Sequence, residues 1–327
     1  MVQTVPRSLT LVSQTPSITI VVPYYNEQDN LEYLLDQLAA QTLQPKEVIL
    51  VNSGSTDASS ALVEEWITNN DLRTTFKNLN ASTKTPGGSK SAGIKVASGD
   101  LLAFMDCGLT FPTNWLESQA HLLTSTGADW VSGVCHTSGT TLIDKSAIAH
   151  TYGYKSSRPV IPSSVIRRSV FGRIGVFKDL RAGYDAEWAR ASIRAGLRRE
   201  INPNVIVEYK SVNFADTLYS VFTKSLRYAK PSVGRNDTVV PYVYLVGSIV
   251  AVLLLILSPV LSLILAASYF AARLTIARRK SREFRYFRTS PFRIVVLLIV
   301  GLVMDFGKLL GFSLGIIVRF VGRRSLS

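Results

Sequence analysis

The run Ser17-Ile18-Thr19-Ile20-Val21-Val22-Pro23 leads into the polar turn Tyr24-Tyr25-Asn26-Glu27, and leucines then recur at 31, 34, 35 and 38. A β-branched run of this length predicts a strand, and apolar residues three and four apart predict a helix. The pattern repeats. Glu47 to Val51 predicts a second strand, ending in Asn52-Ser53-Gly54-Ser55-Thr56-Asp57, with Asp57 placed to cap a helix through Leu62, Val63 and Trp66. A third unit has the Gly-rich loop Pro86-Gly87-Gly88, a helix through Ile94 and Val96, a Ser-Gly turn, and a strand from Leu101 to Met105. Strands alternating with helices imply βαβ units and an α/β fold with a mostly parallel sheet. Ligands bind beyond the carboxyl ends of such strands, where three polar turns fall: Tyr24 to Glu27, Asn52 to Asp57, and Asp106 to Thr110.

Neither a P-loop nor a GxGxxG follows the first strand, so the two commonest nucleotide-binding fingerprints are missing. Beyond Phe111 the pattern is less regular. Thr113 to Leu123 reads as a helix and Asp129 to Val134 as a strand. Asp185 to Ala195 reads as a helix with Asp185 and Glu187 in its first turn, where the helix dipole favours acids.

The basic character is local. Residues 1–240 carry 24 Lys+Arg against 21 Asp+Glu, whereas 241–327 carry 12 against 2, a net of +10 beside the longest apolar runs. Basic residues bracketing hydrophobic segments point to a membrane surface facing the cytoplasm rather than to nucleic acid. The first seventeen residues hold no apolar stretch of signal-peptide length, so the N-terminal domain is expected in the cytoplasm. Cys107 and Cys135 suit a reducing compartment and offer no zinc spacing, and His121, His136 and His150 form no ligand pair.

Thr223 to Lys230 reads as a basic interfacial helix. The apolar region Val239 to Ala277 is divided by Ser258-Pro259 into two short spans, which leave the basic stretch 278–293 in the cytoplasm. The last apolar region carries Asp305 and Lys308, close enough to pair on one helix face. A third span would carry Arg319, Arg323 and Arg324 outward, so a re-entrant or surface-lying segment is expected, with a third span as the alternative.

VVPYYNE (21–27), VNSGSTD (51–57), SKSAGIKVASGD (89–100), FMDCG (104–108) and GYDAEW (183–188) together resemble the ordered motifs of family 2 glycosyltransferases. These are inverting enzymes of the GT-A fold that use nucleotide sugars, and the resemblance covers roughly residues 17–210. It implies nucleotide contacts from Pro23, Tyr25, Asn26 and Glu27, and from Asn52, Ser53 and Asp57. Asn52 replaces the aspartate that bonds uracil in the family, and an amide can still bond a pyrimidine edge. Lys90 falls where the family has a cation near the diphosphate. Asp106 matches the first aspartate of the DxD element, and Gly108 replaces the last, which leaves Asp106 alone to reach the divalent cation (Mg2+ or Mn2+) that the family implies. Asp185 matches the general base, and its neighbouring glutamate is replaced by Tyr184; a raised pKa would then come mainly from burial. KSLRY (224–228) resembles the QxxRW element of processive members, with Lys224 and Tyr228 at its two ends.

The expected organisation is a tail (1–16), a GT-A domain (17–215), a basic interfacial helix or linker (216–238), a transmembrane hairpin (239–277), a basic cytoplasmic loop (278–293), and a third span or re-entrant segment (294–321). The implied function is transfer of a sugar from a nucleotide donor, UDP-linked by preference, to a lipid-linked or glycan acceptor at the cytoplasmic face of the inner membrane. Two rivals remain open: a transferase whose acceptor is a polyprenyl phosphate, and a degenerate scaffold in a polysaccharide assembly complex.

Overall fold

The computed structural model describes residues 16–71, 73–154, 160–209, 216–230, 233 and 239–324, with backbone alone over 320–324. The N-terminal tail, the expected domain boundary at 215 and the side chains of Arg323 and Arg324 lie outside the described residues. In chain order the elements of the first part are β1 (Ile18–Tyr24), α1 (Leu31–Ala39), β2 (Glu47–Asn52), α2 (Ser59–Asn69), β3 (Thr75–Asn80), α3 (Pro86–Val96), β4 (Leu101–Phe104), β5 (Leu109–Thr110), α4 (Trp115–Thr126), β6 (Trp130–Thr137), α5 (Leu142–His150), β7 (Val165–Arg167), α6 (Arg168–Ile174), α7 (Tyr184–Arg194) and β8 (Arg199–Tyr209). The C-terminal part holds α8 (Leu218–Ala229), α9 (Val240–Leu257), α10 (Pro259–Lys280), α11 (Phe284–Phe287) and α12 (Pro291–Arg324).

Every residue of β1 is buried, which is why its sequence reads as a continuous apolar run: a central parallel strand is covered on both faces. Alternate residues feed two cores. Ile20, Val22, Val48 and Leu50 meet the leucines of α1 on one face, while Val21, Ile49 and Val51 meet Ile94 of α3 and Trp188 of α7 on the other. Among the described residues the sheet has eight strands in the order β3-β2-β1-β4-β7-β6-β8-β5. It is parallel from β3 to β4 and becomes mixed beyond, because β7 runs antiparallel to both β4 and β6. Ligand-binding turns therefore still gather at the carboxyl ends of β1, β2 and β4, as expected of a switch point.

Two local expectations change. Pro86-Gly87-Gly88 is no loop: it is the buried first turn of α3, capped by Thr85 Oγ1, which accepts from Gly88 N at 3.1 Å. Asp57 does not cap α2, whose N-cap is Ala58; it accepts from Ser59 N at 3.0 Å as an Asx turn one residue earlier. Asp185 and Glu187 lie in the first turn of α7, behind Gly183 at the N-cap.

Ser258 closes α9 and caps α10, with Pro259 at the first helical position, so the apolar region divides where the dipeptide suggested. α9, α10 and α12 are each long and apolar enough to cross a membrane. α12 does not stand free. Gly307, Gly311 and Gly315 lie against the backbone of α8 and its end, where an added Cβ would come within 2.7 Å of Phe222 O, 2.5 Å of Leu226 O and 2.5 Å of Lys230 O. Val300 and Met304 continue the contact with Ala147 and Val221. The opposite face of α12, from Phe292 through Ile299 and Phe306 to Ile317, is apolar and exposed. The chain between α10 and α12 is fastened to the first part by a bridge from Tyr154 to Ser281 and by Arg282 N donating to Gly153 O at 2.7 Å.

At the far end of the sheet from the polar turns, the buried Glu47 carboxylate accepts from Thr19 Oγ1 (2.8 Å), Lys77 Nζ (2.6 Å), Ser98 N (2.7 Å) and Ser98 Oγ (2.8 Å). Burial alone would raise its pKa, but these bonds outweigh it and bring it to about 2. A carboxyl depressed in the folded state contributes stability above its unfolded pKa and loses it as pH falls through the folded one. The expected contribution, up to about 3 kcal/mol above pH ~4.5, disappears between there and pH ~2. Thermal unfolding against pH should show that acid slope, and Glu47→Gln should flatten it.

Candidate active site

The carboxyl ends of β1, β2 and β4 open into a cavity of about 550 Å³ whose walls include Pro23, Tyr25, Glu27, Ser53, Asp106 and Asp185. The fold brings these six predicted residues together across 162 positions of sequence. Asn26, Asn52, Asp57 and Lys90 do not line it; Lys90 holds two residues that do, Asp106 and Tyr184, and the other three bond within and between the turns behind it.

Asn26 sits at φ 53°, a left-handed conformation that asparagine tolerates. Its side chain accepts from Thr56 N at 2.8 Å and donates to Thr56 Oγ1 at 3.2 Å, tying the turn after β1 to the turn after β2. Asn52 accepts from Gly54 N (3.1 Å) and Ser55 N (2.8 Å) and donates to Asn80 Oδ1 (3.1 Å), so its amide is occupied within its own loop. Ser53 pairs with Ser89 of α3 at 2.7 Å. Glu27 accepts from Asn30 at 2.8 Å, and burial holds its carboxyl above the usual range against that bond, with Asp106 and Asp57 adding to the rise.

Lys90 is fully buried on α3. Its ammonium is paired with Asp106 Oδ1 and donates to Tyr184 Oη at 3.1 Å. Burial would pull its pKa down, but the Asp106 carboxylate outweighs it, so the lysine is held charged. The other Asp106 oxygen accepts from Tyr209 Oη at 3.4 Å. Tyr209 arrives there because β5 pairs with the end of β8, Leu109 opposite Tyr209. Tyr184 occupies the place of the expected glutamate; burial pushes its pKa up to about 12, and it serves as a neutral hydroxyl partner for Lys90. Gly108, at φ +75° with nothing within 4 Å of an added Cβ, lines the cavity and has no side chain to offer as a ligand.

Asp185 stands at the second residue of α7 and is exposed, so the burial anticipated for it is not found. The segment before it is positioned by Asp179, which accepts from Thr83 Oγ1 at 2.6 Å and from Thr85, the cap of α3. Trp188 is core, with Trp130, Phe171 and Phe177 around it and its Nε1 bonded to Gly175 O at 3.0 Å.

Two cations in the cavity wall, Lys84 and Arg181, are exposed and form no ion pair among the described residues. Both escaped the sequence reading, although Arg181 lies four residues before Asp185 and could have been noticed there. Tyr152, just after α5, and Tyr209, at the end of β8, also line the cavity and carry no sequence signal as site residues; Tyr228 of α8, the last residue of the KSLRY element, lines it as well. Cys107 is buried, and burial raises its thiol well above its usual range, which leaves it protonated and unsuited to act as a nucleophile.

A divalent cation fits this donor set poorly. Among the described residues no group of three His, Cys, Asp or Glu comes together. Asp106 would be the one carboxylate of its motif, and its charge already answers the ammonium of Lys90.

A profile described as "Glycosyl transferase family 2" matches residues 19–189. The chain is similar to glycosyltransferase AglE of Haloferax volcanii, 25% identical over 224 residues that cover 65% of this chain and 73% of that protein. It is also similar to GalNAc(5)-diNAcBac-PP-undecaprenol beta-1,3-glucosyltransferase of Campylobacter jejuni, 29% identical over 91 residues, 28% of this chain and 29% of that one. Among solved structures it shares its fold with the mannosyltransferase PcManGT of Pyrobaculum calidifontis, in complex with GDP-Man and Mn2+. The TM-score is 0.57 at 17% identity, covering 89% of this chain and 88% of that one.

Removing Asp106 strands a fully buried ammonium, whereas removing Lys90 leaves a carboxylate that faces the cavity. Asp106→Asn is expected to cost roughly 3–5 kcal/mol of stability, and Lys90→Met with Asp106→Asn distinctly less. Unfolding of the two single variants and the double variant in a thermodynamic cycle measures the coupling.

Proposed function

This chain belongs to glycosyl transferase family 2, and from that premise we propose an inverting transfer of a sugar from a nucleoside diphosphate to a lipid-linked acceptor at the cytoplasmic face of a membrane. One observation carries the reading: Asp106 and Asp185 face a single cavity from a strand end and a helix start, and in the same wall stand Lys84 and Arg181, which form no ion pair among the described residues. The intact cavity and the family's glycosyltransferase activity favour an enzyme over a scaffold.

Glu27 and Ser53 mark the nucleoside end, beyond β1 and β2. The diphosphate lies toward Lys84 and Arg181, which meet charge with charge as the leaving group departs. The acceptor oxygen attacks the anomeric carbon from the side away from the diphosphate. As that bond forms, the bond to the diphosphate oxygen breaks, and the acceptor's proton passes to the Asp185 carboxylate. Lys90 does not reach the donor; it positions Asp106.

The lipid-linked acceptor follows from the anchor. α9 and α10 would cross the bilayer as a hairpin and leave Arg278, Arg279 and Lys280 at the cytoplasmic surface. α12, packed on α8 along one face and apolar on the other, would lie along that surface rather than cross it. The Campylobacter relative, a glucosyltransferase named for GalNAc(5)-diNAcBac-PP-undecaprenol, agrees with this reading.

Membranes carrying the full chain, incubated with radiolabelled UDP- and GDP-sugars and polyprenyl-linked lipids, should transfer label to lipid; no transfer or donor hydrolysis across the panel would defeat the proposal. Asp185→Asn should lower kcat for a hydroxyl acceptor on the order of 10²–10⁴-fold. Activity spared in that variant would instead identify a lipid phosphate, which needs no deprotonation, as the acceptor.

The reading also predicts that transfer by the native chain survives chelation. Gly108→Asp adds the second carboxylate at a left-handed position that aspartate tolerates, so its transfer should become dependent on added Mg2+ or Mn2+. Loss of native activity in chelator would overturn the assignment of the diphosphate to Lys84 and Arg181.

A further inference from the structure

The two cations in the wall of the catalytic cavity stand on two irregular segments. Lys84 lies between β3 and α3, and Arg181 between α6 and α7. Both are exposed, and like charges in one wall repel until an anion answers them. Neither segment is helix or strand, so neither has a backbone ladder of its own to hold its cation in place.

Asp179 ties the two together. Its Oδ1 accepts from Thr83 Oγ1 at 2.6 Å and also from Thr85 Oγ1. The two threonines flank Lys84 in the chain, and Asp179 precedes Arg181 by two residues. One carboxylate oxygen therefore joins the segments of both cations, through bonds that span 96 and 94 positions of sequence. The joined segments are seated on α3, where Gly87 N donates to Leu180 O at 3.3 Å and Ser91 Oγ donates to Phe177 O at 2.7 Å. The seat is close: a Cβ at Gly87 would collide with Lys178 O, and one at Gly88 with Thr83 Oγ1 and Asp179 Oδ1. On its far side the Arg181 segment is held to α7 by the ion pair of Lys178 with Glu187.

Asp179 is exposed, and hydroxyl bonds made in water add little to stability. Position is more sensitive, since misplacing a substrate-binding group by about 1 Å can cost about a hundredfold in rate. We propose that Asp179 is the positioning residue of the diphosphate subsite: by clasping Thr83 and Thr85 it fixes Lys84 and Arg181 relative to each other, so that both meet one diphosphate. The proposal rests on the reading that these two cations receive the diphosphate. Held in advance, they answer the charge that grows on the leaving group without first having to gather.

Calorimetry on the full chain in phosphatidylcholine nanodiscs tests this, with UDP and GDP as probes and UMP and GMP as their controls. Lys84→Ala and Arg181→Ala should each weaken the diphosphate that the native chain binds, and the double variant should show the two losses to be coupled. Asp179→Ala should weaken the same diphosphate about tenfold, weaken its monophosphate less than about threefold, and abolish that coupling. Asp179→Asn keeps an Oδ1 acceptor for both hydroxyls and should hold the affinity within about threefold of native. The melting temperature should be the same in all three chains. Diphosphate affinity unchanged by Asp179→Ala, while Lys84→Ala and Arg181→Ala lower it, would overturn the proposal. Equal losses for diphosphate and monophosphate with a lowered melting temperature would overturn it as well, because they mark a merely structural bond. If neither Lys84→Ala nor Arg181→Ala weakens the diphosphate, the functional reading fails first and takes the clasp with it.

Discussion

A fully buried ammonium organises the catalytic end of this molecule. Lys90 cannot be solvated, so its charge must be answered by protein, and the answer comes from Asp106 after β4 and from Tyr184 at the start of α7. Asp106 in turn is reached by Tyr209 from the end of β8. Four elements distant in sequence are thereby held at one point. The floor of the cavity and the helix carrying Asp185 keep their relation because moving either would expose a charge without a partner. The opposite end of the sheet uses the same device with the sign reversed, where the Glu47 carboxylate gathers β1, β3 and the turn before β4. Ionic fastening at both ends leaves the middle of the sheet to apolar packing alone.

Much of the architecture was legible because the first half of the chain is regular. A strand buried on both faces reads as a run such as ITIVV, and α1 reads as leucines at helical spacing. β3 was not legible, since TFKNLN alternates exposed and buried residues at a sheet edge and lacks an apolar run. Nor was the reversal of β7, which is three residues long and takes its direction from the strands beside it. Pro86-Gly87-Gly88 looked like a loop because two glycines weaken any helix signal. Their reason is tertiary: at Gly88 a side chain would collide with Thr83 and Asp179.

The candidate site divides in the same way. Residues within ordered motifs could be read, but their roles sort differently once placed. Asn26 and Asp57 are consumed in holding two loops against each other, and Asn52 in bonding its own loop and Asn80, as side chains in turns commonly are. Lys90 proves to be beneath the cavity instead of in it. The cations that do face it, Lys84 and Arg181, stand in stretches without a periodic signal. The tyrosines arrive by tertiary pairing, and the register of Leu109 with Tyr209 cannot be deduced from either segment alone.

The glycine row of α12 has a mechanical consequence. Because Gly307, Gly311 and Gly315 let two backbones touch, α8 and α12 cannot slide along each other without driving a carbonyl oxygen into the next helical turn. The pair behaves as one strut. A swing of the β-sheet part of the chain relative to the α9–α10 hairpin must therefore bend elsewhere, at the segments that join this strut to the rest.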